Sequence, residues 1–259
     1  MAHIYPKDSR MLQIAKYCAS GNDFVIFHAF EKADRSALAR TLCDRQNGIG
    51  ADGLIVLVPH ESLDFEWEFY NADGSTASMC GNGSRACAHY AHRFGLAPSS
   101  MAFLTGAGVI KAQVEGNMVQ SDLTPPSIVD REIDEAGMQW WLIDTGVPHL
   151  ITFDADIEDF NIELARGLRH KYNANVNIAA RNPDGTLRVR TYERGVEDET
   201  LACGTGMAAS FYRANREGIV SDQTQVFPKS GETLYLGLEE GVITFKGEVK
   251  GVFETLWKW

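Results

Sequence analysis

The chain has 259 residues, 44% apolar and 23% charged, an ordinary balance for a globular protein and more than one small core requires, so two halves are expected. Lys and Arg number 24 against 35 Asp and Glu, a net charge of −11, and no basic cluster or RNA-reading aromatic motif offsets it, which argues against nucleic acid as a partner. Five cysteines, an odd number, with no apolar run of membrane-spanning length and no secretory-type core in the opening MAHIYPKDSRMLQ, point to reduced thiols in a cytoplasm and away from disulfide scaffolding or a membrane.

In chain order, the strand-like segments are LQIAKYC, FVIFHAF, LIVLV, FEWEFYN and VIKAQVEG, then QWWLIDTG, LITFD, VNIAAR, LRVRTYE and ITFKGEV. β-Branched and aromatic content marks them, and Gly, Asn and Asp-Gly turns separate them. Four segments have apolar residues three or four apart and predict helices over 36–45, 83–94, 162–170 and 206–215. DLTPPSIVD at 122–130 contains a Pro-Pro pair that neither a helix nor a central strand accepts, and reads as the linker between halves. The halves are therefore set at 1–125 and 126–249, with the stretch near 250–259 expected to return to the first.

The two halves resemble each other. SGNDFVIF at Ser20 is matched by TGVPHLITF 125 residues on, and LARTLCDRQNGIGADGLIVL at Leu38 by LARGLRHKYNANVNIAA 126 residues on. Cys80 and Cys203, 123 apart, each open C-G-[NT]-G, and each follows a strand-like run ending in Tyr70-Asn71 or Tyr192-Glu193. Three matches in one order at nearly one offset imply an internal duplication: strand, helix, strand pair, Cys-Gly-x-Gly, helix.

Each cysteine then stands at a helix start. The first N–H groups of a helix are unpaired and partly positive, so glycines there let a carboxylate approach, and the same field lowers a thiol from about 8.5 toward neutrality. Two opposed cysteines, one thiolate and one thiol, are able to take a proton from one face of a carbon and return one to the other. A lone cysteine is more often a small buried hydrophobe, and Cys18, Cys43 and Cys87 are read that way. Neither motif has a second Cys or His at metal-ligand spacing. GIGADG at 48–53 matches G-x-G-x-x-G, but a helix precedes it and a strand follows, the reverse of the dinucleotide-binding order, so it reads as a turn.

SGNDF, GIGADGL, NADGS with CGNG, TGVPH, the NVN stretch, YERG and ETLACGTG, in this order from Ser20 to Gly206, resemble the diaminopimelate epimerase family. Proline racemases, which look related in fold, carry a CGHG-like first motif instead. The resemblance implies an α/β (α+β) fold of two pseudo-symmetric domains, each a mostly antiparallel sheet wrapped round a central helix, with the active site in the cleft between them. It implies no cofactor: neither pyridoxal phosphate, nor metal, nor nucleotide. The expected activity is conversion of LL-2,6-diaminopimelate to the meso isomer, in lysine and peptidoglycan precursor biosynthesis.

Carried over by position, Cys80 and Cys203 are the acid/base pair, Cys80 protonating and Cys203 abstracting from the LL substrate. Backbone N–H groups at Gly81, Asn82, Gly204 and Thr205 hold the carboxylate on the reacting carbon. Asn22, Asn71, Asn175, Glu193 and Arg194 match the remaining substrate contacts, Glu193 and Arg194 supplying both signs for a distal amino-acid head. His149 and Glu193 match positions that tune the cysteines, although a lone histidine is otherwise more often structural. One departure is Val147, where many relatives have Asn and where an isopropyl group offers no hydrogen bond. The partners expected are the small amino-acid substrate and, as assembly, a homodimer. Two other readings stay open: a related racemase or epimerase of histidine or hydroxyproline type, and a non-catalytic dithiol redox module, which the matched asparagines disfavour.

Overall fold

The computed structural model describes residues 11–258; the opening ten residues, to which the sequence assigns no role, and Trp259, the last of the 250–259 stretch, lie outside the described residues. The first half runs β1 (Met11–Ala19), β2 (Asn22–His28), α1 (Ser36–Cys43), β3 (Gly53–Val58), β4 (Phe65–Asn71), α2 (Gly81–Arg93), β5 (Ser100–Thr105), β6 (Gly108–Glu115) and β7 (Met118–Asp122). The second runs β8 (Ser127–Glu135), β9 (Met138–Asp144), β10 (Pro148–Thr152), α3 (Ile162–Tyr172), β11 (Asn175–Arg181), β12 (Leu187–Glu193), β13 (Asp198–Thr200), α4 (Gly204–Arg216), β14 (Gln223–Phe227), β15 (Leu234–Glu239) and β16 (Val242–Lys258). Among the described residues no helix is long and apolar enough to cross a membrane.

Strand pairing turns this order into two rings. β1 through β7 pair in sequence, β7 pairs with β16, and β16 returns to β1, which closes the first ring round α2. β16, β15, β14, β12, β11, β10, β9 and β8 pair in that order round α4. β8 pairs with β9 alone, so this second ring is open between β8 and β16, and β16 is the strand common to both. Most pairings are antiparallel. The exceptions are parallel and come in matched places: β2–β3 and β4–β5 in the first half, β10–β11 and β12–β14 in the second.

The register gives the duplication residue by residue. Phe24 lies opposite Gly53 as His149 lies opposite Asn175, and Leu54 faces Tyr70 as Val176 faces Tyr192. It follows that Asn22 corresponds to Val147, Asp52 to Ala174, Ile55 to Asn177, Phe69 to Thr191 and Asn71 to Glu193. The central helices are buried on every side, α2 from Gly81 through Ala91 without a break, which explains their small residues: a helix enclosed by a ring has no polar face to spare. Two clusters form the main cores, one of Tyr17, Phe24, Trp67, Phe69 and Phe103 with α2, the other of Met207, Phe211, Leu236 and Phe245 with α4.

Some expectations need correction. The helices begin two residues earlier than their apolar spacing suggests, at Gly81 and Gly204, because their first turns are glycine-rich and lack a periodic apolar residue. The 122–130 linker is shorter, since Ser127–Asp130 already belongs to β8. That strand pairs only with β9 and buries Ile133 alone, so no alternation marks it. Four strands with weak patterns, β5, β7, β14 and β15, complete the rings.

Phe245 is fully buried on the shared strand and lies under the first residues of both central helices. Phe245→Ala should cost about 3–5 kcal/mol of stability, seen as a lowered urea midpoint with an unchanged slope.

Candidate active site

Cys80 and Cys203 are the N-cap residues of α2 and α4, both with extended backbone. The two helix starts converge on Phe245. A Cβ added at Gly81 would stand 3.1 Å from Leu123 Cδ2 and 3.5 Å from Phe245 Cδ1, and one added at Gly204 would stand 3.2 Å from Phe245 Cε1. Close approach, not backbone freedom, therefore selects glycine at both places. Their unpaired N–H groups open into a cavity of about 460 Å3 between the halves. The first half lines it with Asn22, Asp52, Asn71, Cys80, Gly81 and Asn82, the second with Val147, Glu193, Cys203, Gly204 and Thr205. A roomier surface hollow of about 660 Å3, bordered by Gln120, Gln225, Tyr235 and Lys246, holds no thiol.

Both thiols feel opposing influences. The Cys80 sulfur accepts the Gly83 N–H at 3.4 Å, and that contact, the Asn82 N–H and the Arg85 cation favour its thiolate. Burial outweighs them and, with the Glu193 carboxylate, pushes Cys80 up. Cys203, 7% exposed, makes no cap bond through its side chain and lies 3.5 Å from the Thr205 hydroxyl. Burial, then Glu193, pushes it up to about 12. A helix start alone would bring the thiols toward neutrality, as expected from sequence; in the unliganded cavity, loss of water is the larger effect.

The residues matched as cysteine tuners act differently from a charged base. His149 is wholly buried and held neutral, its ring brought down to about 3 by desolvation. Thr191 Oγ1 donates to Asn177 Oδ1 at 2.8 Å, and Asn177 Nδ2 donates to Leu150 O and faces His149 Nδ1 at 3.1 Å. Asn175 Nδ2 faces the other ring nitrogen, Nε2, at 3.5 Å, so both nitrogens of the neutral ring meet side-chain amides. His149 Cε1 borders Gly206 in the first turn of α4, so the ring supports the turn that carries Cys203. Glu193 raises both thiols and is itself raised by burial.

Asn175 and Arg194 stand behind the cavity wall. Asn175 Oδ1 accepts the Arg194 N–H at 2.8 Å, its Nδ2 donates to Pro148 O, and the Arg194 guanidinium donates to Asn173 O. Asp52, on the GIGADG segment read as a turn, is in the wall and was missed. It does follow a turn, Gly50 having a φ of +75°, but the turn delivers its carboxylate to Asn22 Nδ2 at 3.1 Å. The available signal was its place one residue before Gly53, the counterpart of Asn175.

The diaminopimelate epimerase family model matches residues 14–129 and 141–249. The curated diaminopimelate epimerase of a Nitratiruptor species is 62% identical over 244 residues, 94% of this chain and 98% of that protein. That of Campylobacter lari is 55% identical over 243 residues, with the same shares covered. Among solved structures, a probable proline racemase from Agrobacterium radiobacter has a TM-score of 0.75 at 15% identity, covering 94% of this chain and 92% of its own, a likeness of fold alone.

Two outcomes follow from the ionisation states. Iodoacetamide should alkylate the unliganded protein slowly at pH 7 and about tenfold faster per pH unit up to pH 9, at Cys80 before the more buried Cys203, as read by peptide mass mapping; a pH-independent rate would contradict protonated thiols. Folded His149 resists protonation down to about pH 3, whereas the unfolded ring takes a proton near 6.5. Its contribution to stability is full above 6.5 and is lost as pH falls toward 3, by up to about 1.4 kcal/mol per pH unit. His149→Gln should flatten that part of the denaturation profile.

Proposed function

The chain belongs to the diaminopimelate epimerase family, and from that premise we propose how its cavity inverts a carbon. The reaction is an isomerisation of LL-2,6-diaminopimelate to the meso form, a step of lysine biosynthesis. The observation that carries the proposal is the convergence of two cysteine-capped helix starts on one cavity. The substrate carboxylate on the reacting carbon lies against the N–H groups of Gly81, Asn82, Gly204 and Thr205, and its α-ammonium brings a cation into a site that disfavours thiolates while empty.

Cys203 as thiolate takes the α-proton of the LL centre. The electron pair moves toward the carboxylate, where the helix N–H groups stabilise the added charge in a site with little water. Cys80 as thiol gives its proton to the opposite face, leaving the inverted carbon, a Cys80 thiolate and a Cys203 thiol. The meso isomer reacts in reverse with the roles exchanged, and protons traded with water reset the pair. Every group in this scheme is a side chain, a backbone N–H or the substrate, so no cofactor is invoked.

Asn71 and Glu193 at the wall, with Asn175 and Arg194 behind it, are assigned to the distal amino-acid head. The setting proposed is the cytoplasm, which suits five free cysteines. Val252, Phe253 and Leu256, exposed on β16, suit a homodimer contact, and neither nucleic acid nor membrane is assigned as a partner.

The purified protein should convert LL-diaminopimelate in deuterated water without added cofactor and place solvent deuterium at the α-carbon of the product. Activity that needs pyridoxal phosphate or metal would refute the scheme. Cys80→Ala and Cys203→Ala should each lose about 100- to 10,000-fold in inversion. With β-halogenated analogues, which lose halide after one deprotonation, Cys80→Ala should act on the LL-like centre and Cys203→Ala on the D-like centre. Equal loss on both centres in each variant is the contrary result.

A further inference from the structure

Arg85 lies inside the first ring with no exposed surface, one helical turn beyond Asn82. Its Nη2 donates to Asn82 Oδ1 and to Ser20 Oγ, each at 2.6 Å, and its guanidinium stands 4.2 Å over the Phe245 ring. Nε and Nη1 are buried without a hydrogen-bond partner among the described residues. Burial brings Arg85 down to about 10, so it is still a cation at neutral pH. An enclosed cation with unspent donors is costly, and its position behind the cavity wall suits an anion arriving on the other side.

From Arg85 a chain of hydrogen bonds runs along that wall. Asn82 Nδ2 donates to Asn22 Oδ1 at 2.6 Å, and Asn22 Nδ2 donates to Asp52 Oδ2 at 3.1 Å. Asp52 is itself held by Arg45 at 2.7 Å and by the Asp23 N–H at 3.2 Å. A guanidinium only donates and a carboxylate only accepts, so the two ends leave each amide between them a single orientation. In that orientation both Asn82 and Asn22 keep one N–H unspent, and both line the cavity. The corresponding residues of the second half are Ala208, Thr205, Val147 and Ala174, three of which have no polar side-chain atom. The chain is a feature of one half alone, added to the duplicated frame.

We propose that Arg85 and Asp52 are positioning residues that lock the side-chain amides of Asn82 and Asn22 as N–H donors, making this wall selective for an amino-acid carboxylate. The inference rests on the diaminopimelate reading and adds to it the side chains that fix its carboxylate selectivity. Replacing Asp52 by Asn removes the charge-assisted hold on Asn22 while Arg85 still orients Asn82, so the Asn22 amide is held less firmly and presents its free N–H to the cavity less of the time.

The test measures KM and kcat in both directions, with melting temperature, for Asp52→Asn, Arg85→Met and Arg85→Lys. Asp52→Asn and Arg85→Met should raise KM about 10- to 100-fold, the span of one charge-assisted hydrogen bond, with kcat within about threefold. Arg85→Lys, which still only donates, should recover most of the lost affinity. A KM within twofold of wild type for Asp52→Asn, a fall in kcat at unchanged KM, or Arg85→Lys no better than Arg85→Met would overturn the lock. Should Arg85→Met fail to fold, Asp52→Asn decides, its side chain being 41% exposed. Calorimetric titration of LL-diaminopimelate into wild type and Asp52→Asn needs no turnover. An inactive wild type that still binds more tightly than Asp52→Asn defeats the epimerase reading and leaves the lock standing, whereas equal binding defeats the lock.

Discussion

Two helices point their first turns at the same aromatic ring. The N–H groups at each start are unpaired and partly positive, so α2 and α4 bring like ends of two dipoles together over Phe245. Without an anion between them that arrangement is unfavourable. With a carboxylate in place both starts are satisfied at once. The rest of the molecule serves this meeting: each ring holds its helix along the axis, the shared strand β16 sets the spacing, and glycines at 81 and 204 keep side chains out of the gap.

Symmetry supplies two thiols on two faces, and asymmetry makes the faces different. Below Cys203 the buried layer is polar but uncharged, built from His149, Asn177 and Thr191. At the corresponding places below Cys80 stand Phe24, Ile55 and Phe69, while a cation, Arg85, lies further along the helix. Glu193 opposes ionisation at both thiols. Burial and Glu193 together thus favour the protonated form of both sulfurs in the unliganded site. A protonated, buried thiol has less to fear from alkylating or oxidising agents than an exposed thiolate.

Much of this was legible in the chain because the strongest signals are local. Cys-Gly-x-Gly twice, at one offset and after Tyr-Asn and Tyr-Glu, places both helix starts and their relation before any coordinates. The β-branched runs of β3 and β11 announce themselves. What escaped depends on contacts distant in sequence. β8 is nearly all exposed and has no alternation to read, and β5, β7, β14 and β15 are set by their neighbours in the rings. Asp52 sits in a segment whose glycines suggest a turn, and only the fold brings it to Asn22, 30 residues away. The ionisation of the thiols was misjudged for a related reason: a helix start is visible in sequence, whereas burial depends on the whole cavity.

β16 is one continuous strand that hydrogen-bonds to β15, to β7 and, in its later part, to β1. It is also the last strand in chain order among the described residues. A polypeptide emerging from the ribosome at about 5–20 residues per second therefore has β1, β7 and β15 waiting with one open edge each until Val242–Lys258 appears. The first ring is not closed before then, and β1, though paired with β2, keeps its other edge open until β16 arrives. The edges left unpaired until β16 pairs are where a chaperone, or an unwanted neighbour, has its opportunity.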